Sequence, residues 1–149
     1  MKISGSQTIP VPPERAYQLL QDPEVLAQCM PGCESLEKTG EDTYAMRMNM
    51  MMAAFTGRFD GSVRIADRNP PESFQLIVEG KGKVGFMKGQ GLLRLSETAE
   101  GTGVAYDGDV QVGGTIAAVG QRLIDSTARM MIRRFFDKLV QRAGSSAAQ

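Results

Sequence analysis

The apolar positions of the chain change their period twice. Lys2 to Ile9 reads as a first strand, stopped by Pro10-Val11-Pro12-Pro13; Pro13 suits the first turn of a helix. Glu14 to Leu20 is a short helical run. Asp22 reads as a cap, followed by Pro23 and a second short helix to about Cys29, with Pro31-Gly32 as its terminator. Beyond that point the period becomes two. Tyr44, Met46, Met48 and Met50 share one face against Arg47 and Asn49. Phe55, Phe59, Val63 and Ile65 alternate with Arg58, Asp60, Ser62 and Arg64. Phe74, Leu76 and Val78 alternate with Gln75 and Glu79, and Leu93 and Leu95 with Arg94 and Ser96. Val104, Tyr106, Val110 and Val112 alternate with Asp107, Asp109 and Gln111. Such alternation marks antiparallel strands with one face inward and one wet. Residues 67–72 and 100–103 carry turn chemistry between strands.

The last element returns to a helical period. Ala117, Ile124, Ala128, Met131, Phe135 and Leu139 form one face of a helix expected from about Thr115 to Arg142, with Arg122, Arg129 and Arg133 opposite. Ala143 to Gln149 is small and polar, which predicts one domain over 1–142 and a flexible tail over 143–149. The order is one strand, two short helices, about six strands and one long helix. Only the long helix can cover the apolar face of so large a sheet. The expected fold class is α+β, a helix-grip fold in which a curved antiparallel sheet wraps a C-terminal helix and leaves a cavity beneath it.

Composition narrows the function classes. The chain has 149 residues, 42% apolar and 23% charged, with a formal net charge of zero, which argues against nucleic acid as a partner. No apolar run is long enough to span a bilayer. The opening residues lack the apolar core of a signal peptide, so a cytoplasmic location is expected, with peripheral contact at the inner face of the membrane as an option. Cys29 and Cys33 have three residues between them, rather than the two of CxxC, and read as free thiols. The chain has no histidine, which excludes histidine-based triads and imidazole-ligated zinc. No metal site and no cofactor is expected.

The methionines leave two readings open. Met46, Met48, Met50, Met51 and Met52 are half of the ten in the chain. Methionine is flexible and polarizable, suited either to ordinary core filling or to a wall that adapts to apolar ligands. Tyr44 and Tyr106 fall on inward faces, where their hydroxyls either bond within the core or orient a ligand's polar head. The expected cavity wall is Tyr44, Met46, Met48, Met50, Phe59, Phe74, Leu76, Leu93, Tyr106, Val110, Ile124, Met131 and Phe135. No carboxylate falls on the inferred inward faces, and no catalytic residue is assigned. The final helix carries six cations against two carboxylates between 122 and 142. Arg122, Arg129 and Arg133 are the expected partner or membrane surface. Gly80-Lys81-Gly82-Lys83-Val84-Gly85 matches GxGxxG, but a strand rather than a helix follows, so it reads as a hairpin and not a dinucleotide site.

Three stretches carry a resemblance: Met30-Pro31-Gly32-Cys33-Glu34-Ser35-Leu36, Gly57 to Ile65, and Tyr106 to Gly120, read YDGDVQVGGTIAAVG. In this order they resemble the carbon monoxide dehydrogenase G-subunit family, within the Bet v 1/START-like (SRPBCC, polyketide-cyclase-like) superfamily. The resemblance covers about Met1 to Leu139. It implies a seven-stranded antiparallel sheet around the C-terminal helix with a hydrophobic cavity between them. It also implies a non-enzymatic accessory role, assisting assembly or membrane and quinone coupling of a molybdenum hydroxylase of the carbon monoxide dehydrogenase type. The ligand expected for such a cavity is an apolar small molecule, a lipid or a quinone, the quinone because an oxidising partner needs an electron acceptor. The alternatives are a polyketide-cyclase-like enzyme, which needs an inward carboxylate or tyrosine, and a pure protein–protein adaptor with a filled core.

Overall fold

A computed structural model describes the backbone of residues 1–52 and 55–147, and the side chains of 1–51 and 56–144. Strand β1 (Lys2–Ile9) leads into helices α1 (Pro13–Gln21) and α2 (Pro23–Cys29). Six strands follow: β2 (Cys33–Gly40), β3 (Thr43–Met52), β4 (Phe55–Asn69), β5 (Ser73–Gly82), β6 (Gly85–Thr98) and β7 (Gly101–Gly113). A 3₁₀ helix (Gly114–Val119) then precedes helix α3 (Gln121–Ala147). Both short helices begin with proline. The Asp22 side chain caps α2, its Oδ1 accepting from the Glu24 N–H at 2.9 Å.

The seven strands form one antiparallel sheet in the order β1-β7-β6-β5-β4-β3-β2. Strands β2 to β7 are joined by successive hairpins, and β1 closes on the β7 edge with Gly5 opposite Tyr106. The two short helices cross from the β1 edge to the β2 edge. Curvature is written into β4, where Gly61 lies opposite Gly80. A Cβ at Gly61 would stand 1.8 Å from the Glu79 carbonyl oxygen, so only glycine allows this approach.

The inward positions divide between two apolar clusters. The first joins α1, α2 and the C-terminal half of α3 to Tyr44, Ile65, Phe74, Leu95 and Val104. The second joins Met46, Met48, Met50, Phe59 and Val63 to Ile116 and Ile124. Leu36 and Leu76 touch both. Phe59 and Phe74 are almost wholly buried. Inward Phe55 of the sequence pattern lies outside the described side chains.

Residues 67–69, expected as part of a turn, extend β4, and three further boundaries differ from those the sequence suggests. The helix expected from Thr115 is broken at Gly120, so Ala117 is an exposed residue of the 3₁₀ helix and not part of α3. At its other end α3 continues past Arg142 to Ala147, because Ala143, small enough to pack closely, is fully buried. Residues 101–103, expected as a turn, begin β7; Thr102 is buried and donates to the Val11 carbonyl oxygen at 2.7 Å. This bond ties the strand to the loop leading into α1, a long-range partner that no local pattern reveals.

Candidate ligand-binding site

The space between the sheet and α3 has a floor of glycine. Gly89 and Gly91 of β6 lie on the same face as Leu93 and Leu95, and Gly91 pairs with Gly108 of β7. A Cβ built at Gly89 would meet only the Asp109 carbonyl oxygen and Val110 Cγ2, each at 3.7 Å. One at Gly91 would meet only the Asp107 carbonyl oxygen and Gly108 Cα, each at 3.6 Å. No side chain of α3 comes within 4 Å of either position. Interiors are normally filled to crystal density, so these two glycine positions, met only by backbone and one valine methyl, are sparsely packed points of the inward face.

The expected wall residues are not uniformly buried. Leu76, Leu93, Tyr106, Val110, Met131 and Phe135 are half-buried, although the alternation directs them inward. Tyr44, Met46, Met48, Met50, Phe59, Phe74 and Ile124 are buried. The thirteen expected wall residues are therefore not one continuous lining. Tyr44 and Phe74 belong to the first cluster, with Leu93, Tyr106 and Phe135 packed against it. Met46, Met48, Met50, Phe59 and Ile124 belong to the second, with Met131 packed against it. Val110 belongs to neither, and Leu76 bridges the two.

The second cluster is rich in methionine. Met1, Met30, Met130 and Met131 pack against Met46, Met48 and Met50, which gathers seven of the ten methionines of the chain. Met1, Met30 and Met130 come from distant segments with no shared periodicity, which is why the sequence pattern misses them. Phe136 is missed for a different reason. It follows Phe135, and an ideal period allows only one of the two to face inward. In fact Phe136 is the more buried, stacked on Tyr106 with ring centroids 6.1 Å apart, and Phe135 meets its edge at 5.3 Å.

Polar groups on the inner side are few. The buried polar residues among those described are Thr102 and Thr127. Thr127 donates to the Leu123 carbonyl oxygen at 2.8 Å within its own helix. The Tyr17 hydroxyl donates to the Ser73 carbonyl oxygen at 2.9 Å. The hydroxyls of Tyr44 and Tyr106 have no hydrogen-bond partner among the described residues, but neither is a buried unsatisfied atom; among those residues that is Gln21 Nε2. Tyr106 lies over Gly5, where a Cβ would stand 2.4 Å from its hydroxyl oxygen. Cys29 is buried and Cys33 half-buried, both as free thiols, and burial pushes both up from the ordinary thiol value of 9.0. Among the described residues no group of cysteine, aspartate and glutamate is placed to hold a metal ion.

Two shallow clefts open elsewhere on the sheet, with volumes of about 160 and 110 Å³. They lie along β2–β4 and β4–β6, and neither includes Gly89, Gly91 or a residue of α3. On the outer surface of α3, Arg122, Arg129 and Arg133 are all exposed. Arg129 is held by Asp125 at 2.9 Å, a hydrogen-bonded ion pair that raises its already high pKa further. No helix among the described residues is long and apolar enough to cross a membrane.

A sheet wrapped around a C-terminal helix, with two short helices after the first strand, is the helix-grip architecture of Bet v 1-like proteins. The solved structure of Ara h 8.0201 shares it, with a TM-score of 0.72 at 12% identity over 97% of this chain and 98% of that one. A protein of Thermus thermophilus has a TM-score of 0.73 at 20% identity over 98% and 99%. A conserved protein from Geobacillus kaustophilus is far more similar, with a TM-score of 0.94 and 33% identity over 98% of this chain and 97% of that one. No curated protein matches the sequence. The model of the carbon monoxide dehydrogenase G-subunit (CoxG) family matches residues 5–144, and the chain belongs to that family.

Proposed function

We infer that this protein is an accessory, non-catalytic binding module of a carbon monoxide dehydrogenase system, and that it carries one apolar molecule between its sheet and α3. The observation behind this reading is the uncovered glycine floor at Gly89 and Gly91, bordered by half-buried apolar side chains. The methionine cluster beside it supplies an adaptable wall. The unpartnered hydroxyls of Tyr44 and Tyr106 offer a hydrogen bond to a polar head. A lipid or a quinone has this division of an apolar body and an oxygen-bearing head. A quinone also suits a redox enzyme, which must hand its electrons to an acceptor.

The partner in this reading is a molybdenum hydroxylase of the carbon monoxide dehydrogenase type, whose assembly or quinone coupling the module assists. The exposed cations of α3, Arg122, Arg129 and Arg133, are the surface offered to it. The protein works in the cytoplasm. Native mass spectrometry of freshly purified protein, followed by organic extraction, tests the carrier function. One copurifying lipid or quinone per chain is expected. A bare mass that takes up neither added lipid nor added quinone overturns it and leaves the adaptor function.

A further inference from the structure

The seam between β1 and α3 is open at one point. Of the inward positions of β1, Ile3 and Ile9 are buried, whereas Gly5 is exposed and Gln7 half-buried. Gly5 lies opposite Tyr106, and Ile3 lies opposite Gly108, which on its other side pairs with Gly91 of the glycine floor. Tyr106 and Gly108 share the inward face of β7, about 7 Å apart along the strand. The floor therefore runs up to Tyr106 and the gap at Gly5. That gap needs glycine, because a Cβ there would run into the Tyr106 hydroxyl.

Two hydrogen-bond donors converge on the Ser4–Gly5 peptide. The Tyr106 hydroxyl lies over Gly5 and has no hydrogen-bond partner among the described residues, and its ring is fixed by stacking on Phe136. Arg129 reaches the same peptide from α3. Its Nη1 donates to the Ser4 carbonyl oxygen at 3.5 Å, and its Nε donates to Asp125 at 2.9 Å. The bond to Ser4 is longer than an ordinary hydrogen bond, so a better placed acceptor can replace it. A guanidinium has five N–H donors and no acceptor, and these two bonds leave three of them unused. Asp125 chiefly, and Tyr106 to a smaller degree, favour the charged form of Arg129.

We propose that Tyr106 and Arg129 hold the carbonyl oxygen of an uncharged ligand head at this seam, while the apolar body of the ligand lies over Gly91 and Gly89. The proposal rests on the carrier function and names the head chemistry of that same site. A phenol hydroxyl and a guanidinium both donate, so together they suit an oxygen acceptor. Charge selects among the acceptors. Asp125 already compensates the Arg129 cation at 2.9 Å. A carboxylate head would bring a second anion beside Asp125, and that repulsion offsets the attraction of the cation. A neutral carbonyl, of a ring ketone or of an ester, gains the charge-assisted hydrogen bond without the repulsion.

Calorimetric titration with four probes separates these chemistries: decylubiquinone with ring ketones, methyl oleate with an ester, oleate with a carboxylate, and decylbenzene with no oxygen. Tyr106→Phe and Arg129→Gln, at parent-like melting temperature, are each expected to lose about tenfold in affinity for the carbonyl probe that the parent binds. Both are expected to keep the parent's affinity for decylbenzene. The tighter of decylubiquinone and methyl oleate identifies the source of the carbonyl. Asp125→Asn is expected to gain affinity for oleate, and Arg122→Gln to change none. Unchanged carbonyl affinity in both variants overturns the proposal. So does an equal loss for decylbenzene, which marks a packing role, and so does tighter binding of oleate than of methyl oleate by the parent. Uptake of decylbenzene with no gain from a carbonyl overturns the head site and leaves the carrier function standing. Uptake of none of the four overturns the carrier function and the head site with it.

Discussion

Tyr106 shows how a single side chain links the sheet, the helix and the glycine floor. It stacks on Phe136 of α3, covers Gly5 of β1 and borders the glycine floor. Gly5→Ala would drive a methyl group into its hydroxyl, and with the ring held by Phe136 the expected loss is about 1–3 kcal/mol in urea unfolding. A loss below about 0.5 kcal/mol would mean that the tyrosine swings away freely. Thr102 is a second such residue. Thr102→Val keeps the shape but leaves the Val11 carbonyl oxygen without its donor, and about 1–3 kcal/mol should be lost in the same assay. The thiols give a pH dependence. Burial raises both above 9.0, so the native state favours the protonated form. That contribution is complete below the unfolded-state value and is lost as pH climbs through the folded one. The melting temperature should fall more steeply above about pH 9 in the parent than in Cys29→Ala. Of these residues, the inward direction of Tyr106 was legible from alternation; its partners Gly5 and Phe136 were not, because both contacts join segments far apart in sequence.

At the scale of elements, the sequence pattern predicts best where burial is one-sided. The alternation in β3, from Tyr44 to Met50, corresponds residue for residue to the buried face. The pattern fails where backbone geometry overrides side-chain period. The apolar run from Ile116 into Ile124 looks continuous, but Gly120 at φ +98° separates the 3₁₀ helix from α3. A Cβ there would meet nothing within 4 Å, so the cost of Gly120→Ala is purely conformational. It should destabilise the fold by about 1–3 kcal/mol without altering any contact, measured by thermal unfolding. No measurable change would indicate that the two helices can merge into one, as the sequence period suggests. The 3₁₀ helix also supplies Ile116 to the methionine cluster.

For the whole molecule, the helix-grip fold was legible in the order of the elements, because the paired short helices, the run of strands and the terminal helix leave few other architectures; the family was legible only in the resemblance of the stretches 30–36, 57–65 and 106–120. The candidate site was legible as a list of inward residues but not as a shape. The sequence treats all inward apolar positions alike, whereas the folded chain packs some into two solid clusters and leaves others half-exposed around Gly89 and Gly91. Glycine carries no hydrophobic signal, so a floor made of it is invisible to any periodicity. The distinction between a filled core and a hollow therefore rests on which glycine positions lie uncovered.

That distinction is open to one direct comparison. Gly91→Leu adds a side chain at a position where a Cβ would meet only β7 backbone atoms, at 3.6 Å, so it should occupy the proposed ligand space. Titration of the parent and of Gly91→Leu with a quinone and with a fatty acid, followed by native mass spectrometry, measures uptake in both. One bound molecule is expected in the parent and none in the variant, with a melting temperature in the variant equal to or above that of the parent. Undiminished uptake by the variant, or a steep loss of its stability, would contradict a ligand site over the glycine floor.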